Sequence, residues 1–183
     1  MPILMLRHAA VSADWAGLCY GQTDVSLSAD GRAAMPAVAD RVQALQPSRI
    51  ISSDLTRATK LAALIGPFTV DPRLRERHQG SWEAQPWDTI HAADPTALDR
   101  LMDDPSTHPA GGESLNTLAA RVADWLAEQP PDGLTVATAH SGPIAAAAIT
   151  ALGTTNWFDW LVDPLAGVCI DGTTVTRWSL RDE

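Results

Sequence analysis

The chain has 183 residues, of which 45% are hydrophobic and 19% charged, and this composition indicates one ordinary globular domain. The formal net charge of −9 argues against a protein that holds nucleic acid by general electrostatics, because such proteins usually carry a basic face. No apolar stretch approaches the roughly 20 residues that span a bilayer, so we expect no membrane partner.

Strands and helices alternate in the first half of the chain. Residues 2–6 form a short, continuously apolar run, which indicates a parallel strand covered on both faces. Ser28 is a suitable N-cap for a helix that runs through Leu45, and Pro36 inside it predicts a bend or a later start. The next predicted elements are a strand at 49–53, a helix at 54–65 and a short strand at 68–70.

The second half begins with an irregular segment. Residues 84–112 are rich in Asp, Pro and Thr and predict an insertion over the active-site edge of the sheet, with one helix at 96–102. Apolar side chains at helical spacing predict an amphipathic helix at 114–129. The remaining elements are a buried strand at 134–139, a helix through 152 and a hairpin of 167–170 and 173–180.

This order of elements predicts the fold class. Strands that alternate with helices form a mainly parallel sheet between two helical layers, and the C-terminal hairpin adds an antiparallel edge. We therefore expect an α/β protein, a three-layer α/β/α sandwich that occupies residues 1–183 as a single domain.

Basic and titratable residues collect where the predicted strands end. The first strand runs into Arg7 and His8, the helix after the second strand carries Arg57, and the fourth strand ends at His140. The carboxyl ends of parallel strands meet at one edge of the sheet, so these side chains are expected to lie together. Arginine forks suit phosphate oxygens and a neutral imidazole is a competent nucleophile, which together favour phosphoryl transfer.

The same residues lie in five sequence blocks that resemble the histidine phosphatase superfamily, also called the phosphoglycerate mutase-like fold. The blocks occur in the family's order and span nearly the whole chain; Ala9 replaces the glycine that usually follows the histidine. They are Leu6-Arg7-His8-Ala9, Ser52-Ser53-Asp54-Leu55-Thr56-Arg57-Ala58, Leu74-Arg75-Glu76-Arg77-His78-Gln79-Gly80-Ser81-Trp82-Glu83, Gly111-Gly112-Glu113-Ser114 and Ala139-His140-Ser141-Gly142.

The resemblance implies a role for each matched residue. His8 attacks phosphorus and becomes a phosphohistidine, and Glu76 protonates the leaving alcohol and then activates water. Arg7, Arg57 and His140 hold the phosphoryl oxygens, with His140 also counted as catalytic. The resemblance implies no cofactor and no metal. Without the resemblance, we would interpret Glu76 as an exposed salt-bridge partner in an arginine-rich run.

Further residues are weaker candidates for substrate binding. Ser141 and Gly142 open a helix whose free backbone N–H groups favour an anion. Residues 19–27 are similar to a stretch of alpha-ribazole phosphatases, a subgroup that acts in cobalamin biosynthesis, and this similarity places Gly21 and Gln22 beside the phosphate. The substrate expected from it is alpha-ribazole 5′-phosphate.

Other functions remain open from the sequence alone. Within the class, they are a broad-specificity sugar-phosphate phosphatase, a phosphoglycerate mutase or a protein-phosphohistidine phosphatase. From another class, the chain is a catalytically silent phosphate-binding protein on the same fold. A metal site is the third alternative, but His78, His91 and His108 lack the spacing of a ligand set and are expected to be loop histidines.

The cellular setting is inferred from cysteine usage and the N-terminus. Cys19 and Cys169 lie far apart and in no metal-ligand spacing, so we expect small buried hydrophobic residues rather than a disulfide or a zinc site. The N-terminal apolar run is too short for a secretory signal. We expect a cytoplasmic protein whose partner is a small phosphorylated metabolite; its oligomeric state, a dimer included, is left open.

Overall fold

A computed structural model describes residues 2–180, apart from the side chain at position 102, so residues 1 and 181–183 of the predicted domain lie outside the described part. The strands are β1 (Pro2–Arg7), β2 (Arg49–Ser52), β3 (Thr69–Val70), β4 (Thr135–Ala139), β5 (Gly167–Asp171) and β6 (Thr174–Trp178). The α-helices are α1 (Ala29–Ala44), α2 (Thr56–Ile65), α3 (Trp87–Ala93), α4 (Ala97–Asp103), α5 (Leu115–Ala127) and α6 (Ser141–Leu152).

The strands form one six-stranded sheet in the order β3-β2-β4-β1-β5-β6. Strands β3, β2, β4 and β1 pair in parallel, whereas β5 is antiparallel to β1 and β6 is antiparallel to β5. Crossover helices connect the parallel strands, and a two-residue turn is sufficient for the antiparallel hairpin. The turn is Gly172-Thr173, one residue later than the predicted 171–172, because Asp171 still pairs with Thr174. The predicted α/β class, with a mainly parallel sheet and an antiparallel edge, is confirmed.

Each face of the sheet is covered by helices. Along β1, Ile3 and Met5 point into one buried cluster while Leu4 and Leu6 point into the other, because successive side chains of a strand alternate. The first cluster is completed by side chains of α5 and α6, and the second by side chains of α1 and α2. Burial on both sides explains why residues 2–6 of β1 are continuously apolar rather than alternating, and every residue of β4 is likewise buried, its two threonines included.

Most helix boundaries agree with the sequence. Ser28 caps α1 by accepting a hydrogen bond from Gly31 N at 2.9 Å, as predicted. Pro36 lies within α1, which nevertheless continues from Ala29 to Ala44, so the prediction of a later start is wrong. Helix α2 begins at Thr56, two residues after the predicted start, because Asp54 and Leu55 belong to the turn that follows β2.

The segment 84–112 contains more helix than predicted. The expected helix at 96–102 is present as Ala97–Asp103, and a second helix, Trp87–Ala93, was not predicted. Ile90 in α3 and Leu101 in α4 are buried, and this burial stabilises two short helices whose own propensity is low. Within residues 2–180, no helix is both long and apolar enough to cross a membrane.

Candidate active site

The ends of three neighbouring strands bring the predicted site residues to one edge of the sheet. Arg7 at the end of β1 pairs with Ala139 at the end of β4. His8 follows Arg7 and His140 follows Ala139, so the two histidines leave the sheet side by side. The backbone N–H of His8 donates to Ala139 O at 3.1 Å. On the other side of β4, Ser53 N donates to Thr138 O at 2.9 Å. Register alone therefore places two histidines and a serine together.

The hydrogen bond of His8 decides which of its ring nitrogens carries the proton. His8 is 2% exposed, and its Nδ1 lies 2.7 Å from the carbonyl oxygen of Ala9. A carbonyl only accepts, so Nδ1 carries the proton and Nε2 of the neutral ring keeps its lone pair. Burial lowers the pKa of His8 to about 3, with the positive charges of Arg57 and Arg7 acting in the same direction and the Ala9 hydrogen bond opposing them. His8 is therefore neutral at physiological pH.

His140 is held in the opposite tautomer. Arg57 Nε donates to His140 Nδ1 at 3.2 Å, so the proton of the neutral ring is on Nε2, which donates to Ser53 Oγ at 2.9 Å. His140 is fully buried, and burial lowers its pKa well below the usual value, assisted by Arg57. The centroids of the His8 and His140 rings are 5.1 Å apart and the rings are tilted by 60°.

Arg57 is a fully buried cation whose orientation is fixed by backbone carbonyls. Its Nη1 donates to Thr23 O at 2.8 Å and its Nη2 to Gly21 O at 2.6 Å. Each terminal nitrogen carries two hydrogens, so one on each remains for a ligand. Burial lowers the pKa of Arg57, and the nearby carboxylates, Glu76 first among them, oppose this effect.

Arg7 directly precedes His8 at the end of β1. Its Nη1 donates to Val162 O at 2.7 Å, which fixes one arm of the guanidinium. Its Nε is buried and has no hydrogen-bond partner within residues 2–180. A buried N–H without an acceptor is unfavourable, and an oxyanion placed beside it would supply the acceptor.

Glu76 meets the N-terminal end of α6. Its Oε1 accepts hydrogen bonds from Arg77 N at 2.9 Å and from Gly142 N at 3.2 Å. A helix N-terminus favours a negative group, because its first N–H groups are unpaired and the helix dipole is positive there. A Cβ at position 142 would overlap Oε1 of Glu76, so glycine permits this close approach. The carboxylate is thus fixed beside the helix that begins after His140.

The weaker candidates also belong to this hydrogen-bonded network. Gly21 contributes its carbonyl to Arg57, and the side-chain amide of Gln22 donates to Glu76 O at 3.0 Å. Ser141 Oγ accepts a 3.4 Å hydrogen bond from Val162 N. All nine predicted site residues are therefore brought together, although Gln22 and Ser141 use their polar groups to bind protein rather than to face an open space.

Two residues of the site were not identified from the sequence. Ser53 accepts the proton of His140, and Glu83 binds the turn that carries Gly21 and Thr23. Both occur in the quoted sequence blocks, but no pattern distinguishes them from neighbouring polar residues. Their importance arises from the hydrogen bonds that they make across the fold.

The described residues contain no group of three His, Cys, Asp or Glu side chains suitable for a metal ion. His78 is partly exposed, and its Nδ1 lies 2.9 Å from Gly111 O. Trp82 and Trp87 stack edge to face with centroids 6.3 Å apart, and Trp87 is 36% exposed. The partly buried His78 and the tryptophan pair are thus accounted for by local packing.

Comparison with known proteins identifies the family. The profile of the histidine phosphatase superfamily (branch 1) matches residues 3–181. A glucosyl-3-phosphoglycerate phosphatase of Mycobacterium tuberculosis is 38% identical over 173 residues, which cover 85% of this chain and 78% of that protein. A probable phosphoglycerate mutase GpmB of Salmonella paratyphi C is 28% identical over 166 residues, or 86% and 77% of the two chains.

The fold comparison agrees with the sequence comparison. The solved structure of a mycobacterial glucosyl-3-phosphoglycerate phosphatase in complex with VO3 superposes with a TM-score of 0.85 at 32% identity, covering 97% of this chain and 98% of the other. The profile match extends over almost every residue of the chain. The chain therefore belongs to the histidine phosphatase superfamily and is a phosphoric monoester hydrolase.

Proposed function

We propose that the protein hydrolyses a small phosphorylated metabolite through a phosphohistidine formed at Nε2 of His8. The observation that carries this proposal is the tautomer of His8. Its proton is held on Nδ1 by Ala9, burial keeps the ring neutral, and Nε2 keeps the lone pair. A buried neutral imidazole beside two arginines is suited to attack a dianion, because the arginines neutralise the charge of the phosphoryl group.

The first step transfers the phosphoryl group to the protein. His8 Nε2 attacks phosphorus while the bond to the leaving oxygen breaks, and the carboxyl group of Glu76 gives its proton to that oxygen. Arg57 has one free hydrogen on each terminal nitrogen, and the Nε of Arg7 is an unpaired donor, so both arginines have donors for the phosphoryl oxygens. His140 contributes its single N–H, which in the free protein binds Ser53.

The second step releases phosphate. Glu76, now a carboxylate, takes a proton from a water molecule, whose oxygen attacks the phosphorus of the phosphohistidine and breaks the N–P bond. The Nε2 lone pair of His8 is restored, and Glu76 is again protonated for the next cycle. Gly142 N–H and Arg77 N–H fix the position of the Glu76 carboxyl group in both steps.

His8→Ala tests the mechanism directly. We expect loss of nearly all turnover of a generic aryl phosphate while the fold is kept, and we expect wild-type turnover from the control Glu128→Gln, an exposed carboxylate paired with Arg73. After rapid quenching, the phosphate bound to the protein should be measured with and without acid treatment. A phosphohistidine predicts that acid releases this phosphate. Near-wild-type turnover by His8→Ala would refute the mechanism. Turnover is also expected to survive a strong chelator.

The alternative of a silent phosphate-binding protein is separated by the same assay. It predicts binding of inorganic phosphate or vanadate without turnover of the aryl phosphate at any pH between about 5 and 8. The grouping of both histidines and Glu76 at one site favours the enzyme: the rings of His8 and His140 are in contact, and Glu76 binds the N–H of Gly142, two residues after His140.

Two substrates are proposed for testing. The sequence at 19–27 favours alpha-ribazole 5′-phosphate, whereas the 38% identity to a glucosyl-3-phosphoglycerate phosphatase favours a phosphorylated glycosylglycerate. We propose a comparison of kcat/KM for both compounds, common sugar phosphates and 3-phosphoglycerate. Formation of 2-phosphoglycerate from 3-phosphoglycerate would instead support a mutase, which the 28% identity to GpmB keeps as the second candidate.

We further propose that residues 84–112 cover the active-site edge of a single domain. We also propose that the protein works in a reducing, cytoplasmic setting, in which its cysteines stay unpaired. Cys19 N donates to Gln85 O, and Ser81 N donates to Ala110 O, so both ends of the segment contact the loops around the site. Cys19 and Cys169 are free thiols. Deletion of residues 87–103 is expected to keep turnover of a small aryl phosphate and to change the preference among larger substrates.

A further inference from the structure

We propose that Glu83 is a positioning residue that sets the orientation of Arg57 without touching the substrate. This inference rests on the proposed role of Arg57 in phosphate binding. Glu83 lies in the turn that follows the short helix Gly80–Trp82, and its side chain is 14% exposed. Its hydrogen-bond partners include a second turn, residues 21–23, which also binds Arg57.

The carboxylate of Glu83 accepts three hydrogen bonds from that turn and one from Gln79. Its Oε1 accepts from Gln22 N at 2.8 Å and from Gln79 N at 3.1 Å. Its Oε2 accepts from Thr23 N at 2.6 Å and also from the Thr23 hydroxyl. Burial raises the pKa of Glu83, but the hydrogen bonds from Thr23, Gln22 and Gln79 outweigh this effect, so the pKa is lower than usual. The group is ionised and has four donors.

The same turn binds Arg57 on its opposite side. The N–H groups of Gln22 and Thr23 face Glu83, while the carbonyl groups of Gly21 and Thr23 face the guanidinium of Arg57. Gly21 has a φ of +23°, and a Cβ there would lie 2.6 Å from Glu83 Oε1 and 2.8 Å from Arg77 O. Only glycine allows this approach. The turn is thus fixed from both sides, and a shift of Glu83 moves the two carbonyls.

The connection continues to the second histidine. Arg57 donates from Nε to His140, so its two terminal donors and its Nε are fixed by three separate acceptors. Glu83 also contributes to the electrostatic stabilisation of the Arg57 charge, which burial opposes. Residues 76 and 83 lie in one segment, and the side chain of Gln22 donates to Glu76 O. This contact uses the side chain of Gln22 and not its N–H, which is the group that Glu83 binds, so the effect of Glu83 on the site passes through Arg57.

The test is a double-mutant cycle on Glu83→Gln and Arg57→Lys. A glutamine keeps one acceptor oxygen but places an NH2 group against Thr23 N–H, whereas lysine keeps the charge of position 57 and loses the fork. The readouts are kcat and KM for an aryl phosphate, and the inhibition constant of inorganic phosphate. Glu83→Gln is expected to lower kcat/KM and weaken phosphate binding by roughly tenfold to a hundredfold.

The pairing of the two substitutions separates positioning from a general structural role. If Glu83 acts through Arg57, Glu83→Gln in the Arg57→Lys background should change both readouts by less than about threefold. If the two effects multiply instead, the proposal is overturned. Glu128→Gln is the control, because it removes an exposed carboxylate whose partner, Arg73, lies outside the site, and it should leave both readouts unchanged.

A milder variant keeps the test valid if Glu83→Gln does not fold. Thr23→Val removes only the hydroxyl hydrogen bond to Glu83. We expect it to weaken phosphate binding less than Glu83→Gln does, and to have no effect in the Arg57→Lys background. Unchanged phosphate affinity in Thr23→Val and in a folded Glu83→Gln would overturn the inference. Because the affinity for inorganic phosphate can also be measured as a dissociation constant by titration calorimetry, without turnover, an inactive wild-type protein would refute the proposed function while the positioning role is still tested.

Discussion

Acidification is expected to destabilise the protein through His8, and the size of this effect follows from its environment. The pKa of His8 is lowered from 6.5 to about 3 by burial and by the charges of Arg57 and Arg7. The unfolded chain therefore binds a proton at a pH where the folded protein does not. Stability is present in full above the unfolded pKa and is lost as the pH falls from about 6.5 towards about 3.

The magnitude follows from proton linkage. At about pH 4.5 the unfolded histidine is two pH units below its pKa and almost fully protonated, whereas the folded one is still neutral. Each unit corresponds to about 1.4 kcal/mol, so His8 alone should lower the free energy of unfolding by about 2.7 kcal/mol between pH ~7.5 and pH ~4.5. His140 shifts in the same direction, because it too is buried beside Arg57.

The assay is equilibrium unfolding in urea at several pH values, with the wild type compared with His8→Asn. Asparagine lacks the titration, and its amide N–H can still donate to Ala9 O. The carboxylates titrate in both proteins, so the difference between the two pH dependences isolates His8. We expect the wild type to lose about 2.7 kcal/mol more than His8→Asn over this range. Parallel pH dependences would refute the claim that His8 is held neutral by its surroundings.

Three further substitutions test other parts of the site. Glu76→Gln is expected to lower kcat by roughly 10²- to 10⁴-fold with little change in the inhibition constant of phosphate, and a larger effect on phosphate than on kcat would contradict its role as the acid. Gly142→Ala should displace the Glu76 carboxylate and lower kcat while the melting temperature is nearly kept. Ser53→Ala leaves the Nε2–H of buried His140 without its acceptor, so urea unfolding should show a loss of ~1–3 kcal/mol; an unchanged midpoint would contradict the assigned tautomer.

Sequence reasoning was sufficient where a pattern is local. The continuous apolar run that became β1 indicated a strand buried on both faces, and residues 134–139 indicated a second buried strand, β4. Parallel pairing of such strands brings their carboxyl ends to one edge. From this alone, His8 and His140 are expected to lie together. The Ser28 cap and the presence of a C-terminal two-residue hairpin were also predicted correctly, because both depend on neighbouring residues only, although the turn lies at Gly172-Thr173, one residue later than expected.

The sequence could not predict features that depend on long-range contacts. The short helix Trp87–Ala93 is stabilised by burial of Ile90 within an otherwise polar segment, and the helix propensity of its residues does not predict it. Glu83 is separated from Thr23 by 60 residues, so its hydrogen bonds to the turn depend on the complete fold. The same holds for the acceptor of His140, since Ser53 lies 87 residues before it.

In the proposed mechanism, Arg57 serves both phosphate binding and the nucleophilicity of His8. A histidine that attacks a dianion must be unprotonated, yet it must lie among the cations that bind the dianion. These requirements agree, because the charge of Arg57 lowers the pKa of both rings while its remaining N–H groups are available to phosphate. Ala9 and Ser53 then assign the proton to Nδ1 of one ring and Nε2 of the other. The net charge of −9 does not oppose this chemistry, since the local field in a buried site is set by the groups that surround it.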